Sequence, residues 1–149
     1  MQLTENFHLN ELTFSSTALR LGIDNAPSPE IIQNLQDLCI HVLQPVRSFW
    51  GLTKISSGYR CPELNNYLNG AASSQHVLGQ AADMEVPGVS NITVAKWIID
   101  STDFDQIIHE YHDPSLINSG WIHVSYGPHQ RRQILHKQKG QPYLPGLGV

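Results

Sequence analysis

Apolar and polar positions alternate along this chain with two different periods. Asn10-Glu-Leu-Thr-Phe-Ser-Ser-Thr-Ala-Leu-Arg20 opens on a plausible N-cap and carries Leu12 and Leu19, predicting a short helix. Gly22-Ile-Asp-Asn-Ala-Pro-Ser-Pro29 then reads as a loop. Ser28 is placed to cap a second helix, with Pro29 at its first position. Ile31, Ile32, Leu35, Leu38, Cys39, Val42 and Leu43 recur at helical spacing, giving an amphipathic helix of about five turns. Pro45 falls inside that pattern and is expected to kink it or end a segment, and Gly51 closes it. Beyond this point the period shortens to two. Strands are predicted over 52–56, 82–86, 104–111 and 121–126, with short helices over 63–68 and from Ser90 or Asn91 to Ile99. Helices first and strands later predict an α+β domain. Its expected form is a small, mainly antiparallel sheet with helices packed on one side and the candidate site on the other face.

Composition narrows the classes open to such a domain. The 149 residues suffice for one domain with its own core. A net charge of −4 argues against a general nucleic-acid binder. No apolar run approaches the ~20 residues of a membrane span. The N-terminus Met-Gln-Leu-Thr-Glu-Asn-Phe-His lacks the basic start and apolar run of a secretory signal. Synthesis in the cytoplasm is therefore expected, with any extracellular action requiring another release route. Two cysteines make no disulfide framework. Cys39 lies on the apolar helical face. Cys61 leaves open a cysteine-nucleophile hydrolase, although nothing around it marks an activated thiol. Residues 127–149 hold Arg131, Arg132, Lys137 and Lys139, four of the nine basic residues. They read as a basic C-terminal tail packed on or trailing from domain 1–126, either partly ordered over the sheet or touching anionic polymer.

The chemistry concentrates in three residues. His76 and Asp83 stand seven apart in Ser73-Ser-Gln-His-Val-Leu-Gly-Gln-Ala-Ala-Asp83, and His123 lies in Trp121-Ile-His-Val-Ser-Tyr126. Two imidazoles and a carboxylate are ligand types that zinc takes at catalytic sites, where the fourth position stays open. Gly79 permits the bend that would bring His76 and Asp83 together. Strand alternation puts Trp121, His123 and Ser125 on one face. The spacing alone is short, and a histidine near an aspartate is often a surface pair or a satisfied core group.

The order of motifs is more specific. Ser57-Gly-Tyr-Arg60, then Ser74-Gln-His-Val-Leu-Gly-Gln-Ala-Ala-Asp83, then Phe104-Asp-Gln-Ile-Ile-His-Glu110, then Trp121-Ile-His123 resemble the zinc D-Ala-D-Ala carboxypeptidase family of peptidoglycan peptidases. That family includes phage endolysins and shares a zinc fold with the hedgehog signalling domain. Phe7-His-Leu-Asn-Glu-Leu-Thr13 is similar to its small single-domain branch, and the likeness covers about residues 7 to 126.

The resemblance implies one zinc ion held by His76, Asp83 and His123. It also implies hydrolysis of stem or cross-link peptides, as a carboxypeptidase or an endopeptidase. The ligand set carries a charge of −1, so Zn²⁺ stays electrophilic and able to acidify water. A base is then needed, and Glu110, on one strand face with Gln106 and Ile108, is the candidate. The family carries a glutamate before the last zinc histidine, though the spacing from Glu110 to His123 is longer than in some relatives. Asp105, His109, His112 and Asp113 are lesser candidates. Arg60 matches the family's substrate-binding arginine and is expected to pair with a substrate carboxylate or the developing oxyanion. Ser74 and Gln75 are candidates for hydrogen bonds to substrate or to the ligand residues, and Ser125 for support of His123. Tyr59 and Trp121 read as core or cleft wall, and Gln80 has no assignable role.

A phage or prophage lysis enzyme, monomeric and released by holin-type lysis or carried on the virion, fits this picture. The competing reading is a zinc-stabilised binding or structural module of a phage particle, without turnover.

Overall fold

Leu9–Thr13 (α1) and Ser16–Leu21 (α2) divide what the pattern reads as one helix. Ser15 causes the break. Its backbone is extended and its hydroxyl accepts from the Ala18 N–H, so it caps a new helix. Pro29–Leu38 (α3) starts as the sequence predicts, with the Ser28 hydroxyl accepting from the Ile31 N–H. A π-helical turn, Cys39–Leu43, joins α3 to Gln44–Trp50 (α4). Pro45 therefore neither ends the helix nor leaves a gap in its path. Proline lacks an N–H, and its ring crowds the carbonyl four residues back. The widened turn before it, with the Gln44 N–H donating to the Cys39 carbonyl, accommodates that ring.

This computed structural model describes residues 1–148. Its second half builds the sheet: Lys54–Ser57 (β1), Ala81–Glu85 (β2), Gln106–Glu110 (β3), Trp121–Ser125 (β4), Gln133–Lys137 (β5) and Leu144–Pro145 (β6). Pro62–Tyr67 (α5) lies between β1 and β2, and Asn91–Ser101 (α6) between β2 and β3. The strand order is β1-β2-β4-β3-β5-β6, and every pairing is antiparallel except β3 with β5. The expected α+β architecture holds.

Alternation sorts the two faces. Ala82, Met84, Ile107, Ile122 and Val124 are fully buried, in one cluster with Leu35, Leu38, Val42 and Val46 of the long helix and Val94 and Ile98 of α6. Each of the valine, leucine, isoleucine and methionine side chains contributes about 1.5–3 kcal/mol relative to exposure. Ile122→Ala would cost about 2–5 kcal/mol through the cavity it leaves. Asp83, Ile108 and His123 alternate with these residues and face the other way.

The basic segment read as a tail over the sheet follows a different course. After β4 the chain crosses to the far side of β3 and enters the sheet as β5, parallel to β3 from Gln106↔Gln133 to Glu110↔Lys137. The sheet thus continues past residue 126, and its outer edge comes from residues 133–145.

Candidate metal centre and cleft

Asp83 and His123 are direct partners across β2 and β4, and Ile108 of β3 pairs with His123 on the other side. Residues opposite one another on adjacent antiparallel strands hold their Cβ atoms about 5 Å apart. The register alone therefore brings these two donors together. His76 arrives from the loop before β2. Its Nδ1 lies 2.7 Å from the Gly58 carbonyl and its backbone carbonyl accepts from the Arg60 N–H, tying the Ser57–Arg60 segment to the histidine. Gly58 is required by close approach, since a Cβ there would collide with the Leu12 carbonyl. Gly79 turns the loop with φ +69° against Ile31, a conformation that side-chain-bearing residues rarely adopt.

The donor atoms of His76, Asp83 and His123 lie within 4.8 Å of one another. Asp83 Oδ1 is 3.4 Å from His76 Nε2 and 3.2 Å from His123 Nδ1. With Nδ1–H given to Gly58, the Nε2 lone pair of His76 faces the other donors, the orientation a metal-ligating imidazole needs. Burial works to raise the Asp83 pKa, but the two imidazoles beside it prevail and hold it below the usual carboxylate range. An ionised carboxylate between two ring nitrogens fits a zinc-type dication.

Glu110 lies beside this set, its Oε1 4.0 Å from His123 Nδ1. Burial pushes its carboxyl up to about 7; His123 and Arg60 oppose that rise and Asp83 adds to it. Tyr111, at φ 57°, turns the chain sharply immediately after Glu110. Burial lowers the Arg60 pKa while Asp83 and Glu110 pull it back up. Arg60 Nε and Trp121 Nε1 are buried with no hydrogen-bond partner among the described residues, and both residues line the same cleft as the donors. Such orphaned donors call for an explanation, and a bound ligand supplies one.

The cleft has a volume of about 790 Å³. Arg60, Ser74, Gln75, His76, Asp83, Glu110, Trp121 and His123 all line it. The Ser74 hydroxyl accepts from the His76 N–H, so it shapes the ligand loop. Gln75 donates to Asp105 and accepts from Arg131.

Several lesser candidates fall elsewhere. Asp105 is buried under Arg131, whose guanidinium outweighs burial and holds the carboxyl down at about 2, so it makes a poor base. His109 points to the opposite face, stacks on His112 and hydrogen-bonds the Leu147 carbonyl. Asp113 is exposed in the following loop and accepts from Ser115. Ser125 is fully buried and clips β4 to β3 through the Gln106 N–H. Cys61, the alternative nucleophile, belongs to the apolar cluster beneath the start of α5. Sequence reasoning missed Arg131, Leu135 and Tyr143, which line the cleft from the segment read as a tail. Nothing local signals them, because only the β3–β5 pairing carries them there.

Two imidazoles and an ionised carboxylate close enough to share a metal ion, with a desolvated glutamate and a guanidinium in the same cleft, make an arrangement able to support metal-assisted hydrolysis. A family model described as Peptidase M15 matches residues 5–125, and the chain belongs to that family of metallopeptidases. The resemblance read from the ordered motifs is thereby borne out. No curated protein matches the chain. Among the described residues, no helix is long and apolar enough to cross a membrane.

Proposed function

We propose that this chain is a zinc peptidase that hydrolyses peptide bonds in the stem or cross-link peptides of peptidoglycan, in a phage or prophage lysis setting. The observation that carries the proposal is the convergence of His76, Asp83 and His123 beside Glu110 in one cleft. Zinc bound by these three residues supplies Lewis acidity that activates water and polarises a peptide carbonyl.

The remaining work belongs to the chain. Glu110 takes the proton from the attacking water and returns it to the leaving amine. Among the described residues no hydrogen-bond donor holds it ionised, and a nearby dication would draw its pKa back from about 7 toward the ordinary range. Arg60 stands over the same space and pairs with the developing oxyanion or with a carboxylate next to the bond. Trp121 and Tyr111 form the wall beside Glu110, their rings 5.1 Å apart. The desolvated Glu110 favours turnover over the non-catalytic module, because a purely structural metal site has no use for a free base at its edge.

Incubation with purified peptidoglycan, followed by mass analysis of the released fragments, tests the reading. Peptide fragments are expected from the zinc-loaded protein and not after chelation. Their ends distinguish loss of a terminal residue from internal cleavage. Elemental analysis should show close to one zinc per chain. Absence of zinc, with none rebound by the stripped protein, refutes the ligand assignment.

A further inference from the structure

The cleft has a second cationic group that the proposed chemistry leaves unused. Arg131 lies outside the stretch matched by the family model, in the crossing from β4 to β5. Its position is unusually determined. Asp105 Oδ1 accepts from the Arg131 backbone N–H at 2.7 Å and from Nε at 3.0 Å, and Oδ2 accepts from Nη2 at 2.9 Å. Nη2 also donates to Gln75 Oε1. The residues on either side, Gln130 at φ 42° and Arg132 at φ 52°, both adopt the left-handed conformation. Strain of this kind persists only where the surroundings over-determine it.

Neutralising a buried carboxylate does not account for the geometry by itself. Asp105 is 1% exposed at its side chain, but Arg131 is 45% exposed and lines the cleft. A guanidinium has five N–H donors. Asp105 and Gln75 occupy those on Nε and Nη2, and the pair on Nη1 has no protein partner among the described residues. Arg132 makes the contrast. Its Nη1 and Nη2 donate to the Thr102 and Ile99 carbonyls at the end of α6, and it covers Phe104.

The geometry points to Arg131 as a specificity-determining residue that binds a substrate carboxylate remote from the bond being cut. This rests on the peptidase reading above and extends it. The candidate metal donors lie level with Ile108, which pairs with His123. Asp105, which holds Arg131, is three residues upstream, roughly 10 Å at 3.3 Å per residue. An extended peptide laid along the cleft places the carboxylate on a residue set back from the two that flank the bond. A single terminal residue leaving as a free amino acid does not span that distance. The cleft is therefore matched to an acidic oligopeptide.

The test measures binding, separately from turnover. Two wall stem tetrapeptides with amidated C-termini are titrated into zinc-loaded Glu110→Gln protein. One carries a free α-carboxylate on its D-glutamyl residue and the other the α-amide. The free carboxylate is expected to bind about 10-fold tighter or more, as for a charge-assisted hydrogen bond. Adding Asp105→Asn with Arg131→Gln removes both charges together and leaves no buried charge unpaired, so the preference is expected to vanish in a chain that still folds. Arg131→Lys keeps charge without the planar fork and should retain only part of the preference. Equal affinity for the two peptides, or a preference that survives the double substitution, overturns the assignment. Wall fragments released by the wild-type protein judge the peptidase reading independently.

Discussion

Asp105 and Glu110 bracket β3 and are both largely withdrawn from water, at 1% and 13% side-chain exposure, yet their acidities move in opposite directions. Burial pushes both up. At Asp105 the Arg131 guanidinium and backbone N–H, with Gln75, more than cancel that push and hold the group at about 2. At Glu110 no donor among the described residues does so, and the carboxyl rises to about 7. Burial thus does not decide what a carboxylate does; its partners do. One end of the cleft holds a fixed ion pair, which the proposal above assigns to recognition. The other holds the desolvated carboxyl beside the donor set, proposed above as the base.

The largest expected effect breaks the Glu110 end. Glu110→Gln preserves shape and removes the basic oxygen, so hydrolysis should fall by about 10²–10⁴-fold while zinc content stays unchanged. Full activity of this variant on a cleavable wall peptide would move the base elsewhere. Next comes Arg60→Ala, which should lower kcat/KM by an amount corresponding to about 2–4 kcal/mol of transition-state binding, again with zinc retained. Unchanged kinetics would reduce the Ser57–Arg60 segment to scaffold. His76→Ala should lower thermal stability more than His129→Ala does, because bound metal contributes to the folded state. His129 is exposed and suits that control, whereas His136 does not, because its Nδ1–H donates to the Gly146 carbonyl.

The smallest effect sharpens the Asp105 end. Its folded pKa of about 2 lies below the ordinary aspartate value, so the pair's stabilisation is fully present above about pH 4. It is lost as pH falls through about 2, and amounts to on the order of 2 kcal/mol. Denaturant unfolding across this range should show that loss in the wild type and a flatter profile in the Asp105→Asn, Arg131→Gln double variant. An identical acid dependence in the two proteins would show that Asp105 gains nothing from Arg131.

Periodicity determined much of this protein directly. The helix begun by Ser28 and Pro29, the strands around Asp83 and His123, and the faces of β3 and β4 are local properties of spacing and caps. Residue types within ordered motifs marked His76, Asp83, His123, Arg60 and Glu110 as candidates, and the fold brings all five into one cleft. Local pattern also fell short: one run of helical spacing hid the Ser15 cap, and Pro45, read as a kink or the end of a segment, is absorbed by a π-helical turn between two α-helical segments. What only the tertiary structure decided was pairing between distant segments. The register Asp83↔His123, the Gly58 carbonyl that orients His76, and the parallel β3–β5 ladder join residues far apart in the chain. A basic stretch reads as solvated when its partner is unknown. Arg131 becomes part of the cleft only because Asp105, 26 residues earlier, is buried and needs it.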